Sequence, residues 1–348
     1  VSGDDRHTDQ PPDQHGNQPE NRSDDIDRNA QATVRTDDAV GGGADGTVEH
    51  RSGFACFVGR PNAGKSTLTN ALIGSKVAIT SSRPQTTRHA IRGILHRPDA
   101  QLIVIDTPGL HKPRTLLGRR LNDIVRETWA EVDVIGFCVP ADVPVGRGDE
   151  FIINELKSVA RRTPVLGVVT KTDLVAPDQV AERLTQLNAL LVAAGIDGEV
   201  VPCSAKDGFQ VGLVADLLVK RLPEGPQLYP DGELTDEPEA TLVAELIREA
   251  ALEGVRDELP HSLAVLVEEM IPHSGREDML DIHANLYVER SSQKGIVIGK
   301  KGARLKQVGT DARRQIEALL GTKVYLELHV KVAKDWQRDP KQLRKLGF

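Results

Sequence analysis

The stretch Gly59-Arg60-Pro61-Asn62-Ala63-Gly64-Lys65-Ser66 decides the fold. It fits G-x-x-x-x-G-K-[ST], follows the apolar run Phe54–Val58 and opens the helix-like stretch Lys65–Ile73. A strand, then a glycine-rich loop, then a helix is the context a phosphate-binding loop requires. The glycines let backbone N–H groups turn inward around phosphate oxygens, and the positive end of the helix favours the anion. Gly59, Asn62, Ala63, Gly64, Lys65, Ser66 and Thr67 form the expected phosphate-binding set. Lys65 would reach the β- and γ-phosphates, and the Ser66 hydroxyl would ligate Mg²⁺.

Beyond this loop, the apolar runs Gln101–Ile105, Val132–Val139, Val165–Val169 and Val200–Cys203 recur. Between them lie the helix-like stretches Glu150–Ala160, Asp178–Ala194 and Leu213–Leu222. Strands apolar on both faces, alternating with helices, predict a doubly wound α/β domain with ligands at the carboxyl ends of its strands. Three more polar motifs stand at such ends. Asp106-Thr107-Pro108-Gly109 places Asp106 to hold Mg²⁺ through water and the Gly109 amide to sense the γ-phosphate. In Thr170-Lys171-Thr172-Asp173, the Asp173 carboxylate can accept from both N1–H and the 2-amino group of guanine. Adenine lacks that donor pair, so Asp173 selects GTP over ATP. The Lys171 stem can lie along the base face. Ser204-Ala205-Lys206 offers a backbone amide to guanine O6. Each triplet is weak alone; four in order are not.

The series resembles the G domain of translation-factor-related small GTPases, with Thr170 where Asn is usual. In that pattern the Asn ties neighbouring loops together while the Asp reads the base, so the departure bears on affinity rather than specificity. The polar segment Ser82-Arg83-Pro84-Gln85-Thr86-Thr87-Arg88-His89 suits a switch that orders around a γ-phosphate. One of Thr86 and Thr87 should complete the Mg²⁺ shell, and resemblance to related switch segments favours Thr87. Residue 110 is Leu where Ras-like GTPases carry a water-orienting Gln, so intrinsic hydrolysis is slow or relies on another group. The resemblance puts Asn62 where some Gln-lacking GTPases hold K⁺. The expected catalytic residues are Lys65, Asn62 and Thr87.

Pro and Gly crowd residues 223–238, a linker expected to let the flanking units change relative position. A helix around Glu239–Leu252 follows, then strands around Leu263–Glu269 and Ile282–Arg290, a Gly-punctuated turn, a helix Ala303–Leu320 and a strand Val324–Val332. That order predicts a smaller α+β unit with helices on one face of its sheet. Gly299-Lys300-Lys301-Gly302 between two helices resembles the loop of a type II KH domain. In such domains the backbone presses on a nucleic-acid strand while an apolar groove takes about four unstacked bases. Ile298, Gly299, Lys300, Lys301, Gly302, Arg304 and Lys306 are the expected RNA-binding residues.

The formal net charge of −7 over 348 residues at first argues against nucleic acid. Placing the charges reverses this. Residues 1–50 hold 12 Asp/Glu against 4 Arg, a net of −8, whereas residues 283–348 hold 15 Lys/Arg against 6 Asp/Glu, a net of +9. The first fifty residues are nearly devoid of large apolar side chains and read as a disordered tail. The expected organisation is therefore tail 1–50, G domain 51–222, linker 223–238 and KH domain 239–348. Cys56, Cys138 and Cys203 lie far apart in apolar runs and read as reduced, buried thiols. No stretch approaches 18 consecutive apolar residues, so no membrane span is expected.

Pro-Asn in the phosphate loop, Gln-Thr-Thr-Arg in the switch and a C-terminal KH unit together resemble the Era family of GTPases. The ending, Val330 to Trp336 and Leu346-Gly347-Phe348, resembles that family's terminus. The resemblance implies a GTPase that binds small-subunit (16S) ribosomal RNA near its 3′ end and acts in 30S subunit assembly. Its GTP/GDP state would switch RNA engagement. It further implies a cytoplasmic monomer, with peripheral association at the inner face of the cell membrane left open. Two other readings compete: an RNA-binding scaffold with a structural nucleotide, and an ATP-dependent phosphotransferase, which Asp173 disfavours.

Overall fold

A computed structural model describes residues 50–80, 86–110, 113–157, 159, 161–253 and 259–348. The tail up to residue 49 and the Ser82–Gln85 part of the switch segment lie outside the described residues. His50 lies within them, its Nδ1 2.9 Å from the Gly225 carbonyl.

The first domain runs β1 (Arg51–Val58), α1 (Lys65–Ile73), β2 (Ile91–Arg97), β3 (Ala100–Asp106), α2 (Leu116–Glu131) and β4 (Val134–Pro140). It continues with α3 (Arg147–Leu156), β5 (Val165–Thr170), α4 (Pro177–Ala193), β6 (Val200–Pro202) and α5 (Val211–Val219). The strands form one sheet in the order β2-β3-β1-β4-β5-β6, parallel except for β2, which pairs antiparallel with β3. Strand β3, Ala100–Asp106, is buried at every position. One apolar cluster (Phe57, Leu68, Leu102, Val214, Leu218) lies on the α1 and α5 face. The other (Val125, Trp129, Ile135, Ile152, Leu187) lies under α2, α3 and α4. The sheet is thus doubly wound, as its two-faced strands predict.

Elements β2 and α2 have no counterpart among the expected elements. Helix α2 begins where the Thr115 hydroxyl accepts from the Gly118 amide at 3.1 Å, satisfying one orphan N–H of the first turn. Its apolar stripe divides its work: Val125 and Trp129 enter the core of the first domain, while Leu117 and Leu121 join Tyr287, Trp336, Leu343 and Leu346 of the second. Each such leucine, fully buried, stabilises the arrangement by about 1.5–3 kcal/mol.

The second domain comprises α6 (Glu239–Leu252), α7 (Leu259–Ser262), β7 (Ala264–Pro272), β8 (Met279–Val288), α8 (Ser291–Ile298), α9 (Ala303–Leu320), β9 (Lys323–Val332) and α10 (Pro340–Lys345). Its sheet order is β7-β8-β9, with β7 antiparallel and β9 parallel to β8. Ile282, Ala284, Leu286 and Val288 line the face covered by α6 and α9. Ile79, from the first domain, packs into this same core.

The linker between them is strapped to the first domain rather than spanning open solvent. Gln101, 1% exposed, accepts from the Leu228 and Tyr229 amides at 2.7 and 2.9 Å and donates to the Tyr229 carbonyl at 2.8 Å. The Ile94 amide donates to Leu234 O at 2.9 Å, so the linker covers the edge of β2. Cys56, Cys138 and Cys203 are buried and unpaired, and burial pushes the Cys203 thiol up to about 11. Among the described residues no helix is long and apolar enough to cross a membrane.

Candidate functional site

Strand β1 ends against β4, and the loop that follows must pass close to it. A Cβ on Gly59 would stand 2.4 Å from the Cys138 carbonyl, so glycine is required there. Gly64 caps α1 with φ +86°, and Asn62 also lies in the left-handed region at φ +62°. These turns curl the loop around a cavity of about 290 Å³. Asn62, Gly64, Lys65, Ser66, Thr67, Thr87, Gly109 and Lys171 line it, joined by Pro61, Ile79, Thr80 and Thr86. Ala63 is buried behind the loop, and Gly109 packs so close to Pro61 that a Cβ would lie 3.1 Å from its nitrogen. Arg60 is turned away and ion-paired with Asp149 at 2.8 Å, which braces the loop against the start of α3.

Lys65 Nζ donates to the carbonyls of Gly59 and Arg60 at 3.2 and 3.1 Å. Burial pushes its pKa down, and the nearby Asp106 offsets part of that. Asp106 gathers the other chemistry. Its Oδ2 accepts from Ser66 Oγ at 2.7 Å and Thr87 Oγ1 at 3.0 Å, and the two hydroxyls are 3.1 Å apart. Its Oδ1 is buried, with no hydrogen-bond partner among the described residues. Burial pushes the Asp106 carboxyl up to about 6, against the lowering effects of Ser66, Lys65 and Thr87.

At the other end, Thr170 Oγ1 donates to the Ala63 carbonyl at 2.7 Å. The hydroxyl therefore does tie the two loops, the service expected of the usual Asn. Lys171, at φ +57°, has its Nζ 3.4 Å from Asp142. Asp173 Oδ1 accepts from Ser204 Oγ at 2.9 Å, which fixes the carboxylate while leaving acceptor capacity for a base. Ala205 is half-buried and Lys206 exposed on the same turn. Asp173 and Ser204–Lys206 lie outside the lining of the phosphate cavity, to which Lys171 connects them.

In the second domain Gly299 (φ +74°) ends α8 and Gly302 precedes α9. A Cβ on Gly299 would meet the Cβ of Arg304 at 2.7 Å. Lys300, Lys301 and Lys306 are exposed, and Ile298 packs against the core. A groove of about 480 Å³ runs beside them, lined by Gly302, Leu305, Lys306, Gly309, Thr310, Arg313, Tyr325, Leu326 and Leu328. Arg304 departs from the expected surface set. Its Nη2 donates to the Ala251 and Glu253 carbonyls at 3.2 and 2.6 Å, so it satisfies the end of α6 instead. The groove residues carry a legible signal: Leu305, Gly309 and Arg313 repeat at i, i+4, i+8, and Leu326 and Leu328 alternate on one strand face.

The two sites are joined by the end of the switch segment, Arg88 and His89, and by two α6 residues, Arg248 and Glu249, that no motif included. Arg88 is 1% exposed and donates to the Leu263 and His261 carbonyls, both at 2.7 Å, with its guanidinium 5.7 Å from the Trp336 ring centroid. His89 stacks on Phe348 at 5.0 Å. From α6, Arg248 donates to the Thr86 carbonyl, and Glu249 accepts from the Thr80 amide at 2.8 Å and from Lys76. Thr80, Thr86 and Thr87 all line the phosphate cavity. Buried charge across a domain boundary has no periodicity to betray it.

A phosphate-loop domain carrying Asp173 on the loop after its fifth strand, joined to a small sheet with a GxxG groove, defines a GTP-binding protein with a nucleic-acid-binding module. Residues 54–171 match the model of the 50S ribosome-binding GTPase family, and residues 258–337 match the KH domain. The chain is 69% identical to the GTPase Era of Streptomyces coelicolor over 303 residues, 86% of this chain and 95% of that one. It is 66% identical to the GTPase Era of Mycolicibacterium smegmatis over 301 residues, 86% of this chain and all of that one. Among solved structures it is similar to Era in complex with MgGDPNP and nucleotides 1506–1542 of 16S ribosomal RNA. That likeness has a TM-score of 0.80 at 37% identity and covers 86% of this chain and 99% of the other. The chain belongs to the Era family of GTPases.

Proposed function

We propose that this GTPase uses its nucleotide state to control how the KH domain holds the 3′-end region of 16S ribosomal RNA during 30S subunit assembly. One observation carries the reading. Thr87 reaches Ser66 and Asp106 in the nucleotide site while its neighbours Thr86 and Arg88 are held by the KH domain. A segment that orders around a γ-phosphate would therefore bias the KH domain directly. The Era structure similar to this chain holds MgGDPNP and 16S RNA nucleotides together, which supports both halves of the reading.

The oxygens of Ser66, Thr87 and Asp106, with Asp106 Oδ1 lacking a partner among the described residues, are hard donors of the kind Mg²⁺ takes. When bound, Mg²⁺ would neutralise charge on the β- and γ-phosphates. Lys65 would leave its loop carbonyls for phosphate oxygens, and the loop amides would orient the phosphates for attack by water. Asp173, held by Ser204, would accept from guanine, and the Ser204–Lys206 turn would meet guanine O6. Lys300, Lys301 and Lys306 would neutralise RNA phosphates while the groove takes bases. Asn62 would supply an oxygen to K⁺, whose charge would take the place of an arginine finger in a chain that has Leu110 where Ras-like GTPases carry Gln. Potassium-stimulated turnover abolished by Asn62→Asp tests that part, and equal rates in Na⁺ and K⁺ would contradict it.

The protein is proposed to act as a cytoplasmic monomer, and flotation with anionic phospholipid vesicles tests peripheral association with the inner membrane face. The scaffold reading draws on Leu110, buried in the core where it cannot orient a water. Single-turnover hydrolysis with and without RNA separates the two: stimulation by RNA supports the switch. The direct test is crosslinking to cellular RNA, with Lys300→Ala/Lys301→Ala as control. Enrichment of the 16S 3′ region, lost in the double variant, is expected; recovery of RNAs in proportion to abundance would contradict the reading.

A further inference from the structure

Arg248 stands on α6, in the RNA-binding half of the chain, yet it is 2% exposed and one of its Nη2 hydrogens goes to the Thr86 carbonyl of the nucleotide-binding half. Glu245, 4% exposed, holds the same guanidinium from the other side, Nε to Oε1 at 2.9 Å and Nη2 to Oε2 at 2.5 Å. A buried ion pair gains little net stability, because desolvation offsets most of its attraction. Its consequence here is geometric. The Thr86 carbonyl and the Thr87 Cα belong to one planar peptide unit. Fixing that carbonyl fixes where the Thr87 side chain begins, and the Thr87 hydroxyl lies 3.0 Å from Asp106 and 3.1 Å from Ser66.

We infer that Arg248, oriented by Glu245, is a positioning residue for the GTP-bound state of the nucleotide site: the KH domain supplies the clamp that presents Thr87. This rests on the proposed role of Thr87 toward Mg²⁺ and the γ-phosphate. Switch segments of this kind make those contacts with the triphosphate and release them after hydrolysis. Arg248 therefore discriminates GTP from GDP rather than strengthening both. The RNA-binding half becomes part of the nucleotide site, and coupling between the two follows by linkage.

The test measures equilibrium affinity of the full-length protein for fluorescent GDP and a fluorescent non-hydrolysable GTP analogue, together with the Mg²⁺ midpoint for analogue binding. The variants are Thr87→Val, Arg248→Met, Arg248→Lys and the double Glu245→Gln/Arg248→Met. The double leaves no unpaired carboxylate and carries the test where Arg248→Met does not fold. Arg248→Met and the double should each lose about tenfold in analogue affinity, the size of one charge-assisted hydrogen bond, with GDP affinity changed less than about twofold. Their Mg²⁺ midpoints should rise, and Arg248→Lys should recover part of the loss. Equal losses of analogue and GDP would reduce Arg248 to a structural role and overturn the inference. Loss in Thr87→Val with wild-type behaviour in the Arg248 variants would overturn it while sparing the role of Thr87. An unaltered Thr87→Val would remove that role and the inference together.

Discussion

Arg88 Nη1 donates a 2.7 Å hydrogen bond to the carbonyl of Leu263, across the boundary between the nucleotide-binding and KH domains. The residue before it, Thr87, contacts Asp106 inside the nucleotide site. Neighbouring Cα atoms are about 3.8 Å apart, so a displacement of Thr87 is felt at Arg88 within one residue. The protein therefore needs no long-range relay between its two sites. The switch segment touches both.

Replacing Arg88 should separate the domains' behaviour. Arg88→Met removes two buried hydrogen bonds and the contact with Trp336, and stability should fall by about 2–4 kcal/mol. Denaturant unfolding reads this. RNA affinity in the presence of a GTP analogue and of GDP should converge in this variant.

Base selection should follow Asp173. Xanthine carries a carbonyl where guanine has its 2-amino group, so Asp173→Asn exchanges an acceptor for a donor at the right place. GTP affinity should fall by about 100-fold or more, since guanine donors are left facing an amide. XTP should become the preferred nucleotide, as competition binding would show.

The Asp106 carboxyl, pushed up to about 6 by burial from an ordinary 3.8, predicts a pH dependence in the nucleotide-free protein. Its folded-state pKa lies above the unfolded one, so the native state binds the extra proton. The stability it contributes is complete below pH 3.8 and is lost as pH rises through 6. Asp106→Asn should accordingly be more stable than wild type at pH 8, by up to about 3 kcal/mol. The gap should close near pH 4. Denaturant midpoints at several pH values check this, and a pH-independent gap would contradict the assignment.

Much of this was legible in the chain. The Gly59–Ser66 loop, Asp106, Asp173 and the GxxG turn were readable because each needs fixed residue types at fixed places beside a strand or helix. Helix α2 was also readable in principle, from Thr115 as cap and the stripe Leu117, Leu121, Val125, Trp129. The antiparallel strand β2 was harder, since Ile91-Arg92-Gly93-Ile94-Leu95-His96-Arg97 mixes charges into a short apolar run. Arg88 was readable as part of the switch segment but not as a tie between domains, and Glu245 and Arg248 carried no signal at all. Charged residues are ordinarily exposed, and only three-dimensional pairing makes their burial possible. The same holds for the tie made by Arg304: its charge pointed to RNA, and its bonds to the carbonyls at the end of α6 had no signal in the sequence.

Lys300 and Lys301 are exposed on the GxxG turn, so their contribution should be electrostatic. Lys300→Ala/Lys301→Ala should weaken single-stranded RNA binding across sequences. The slope of log affinity against log salt should shrink by about 0.7 for each phosphate contact removed.

The central claim is that the nucleotide state sets RNA engagement through the Thr86–Arg88 segment. It is tested most directly by the affinity of the full-length protein for an oligonucleotide bearing the 16S 3′-end sequence, measured by fluorescence anisotropy at fixed salt. Saturating non-hydrolysable GTP analogue should tighten binding by about tenfold over saturating GDP, within the usual span of coupling between sites. Equal affinities in the two nucleotide states would contradict the account.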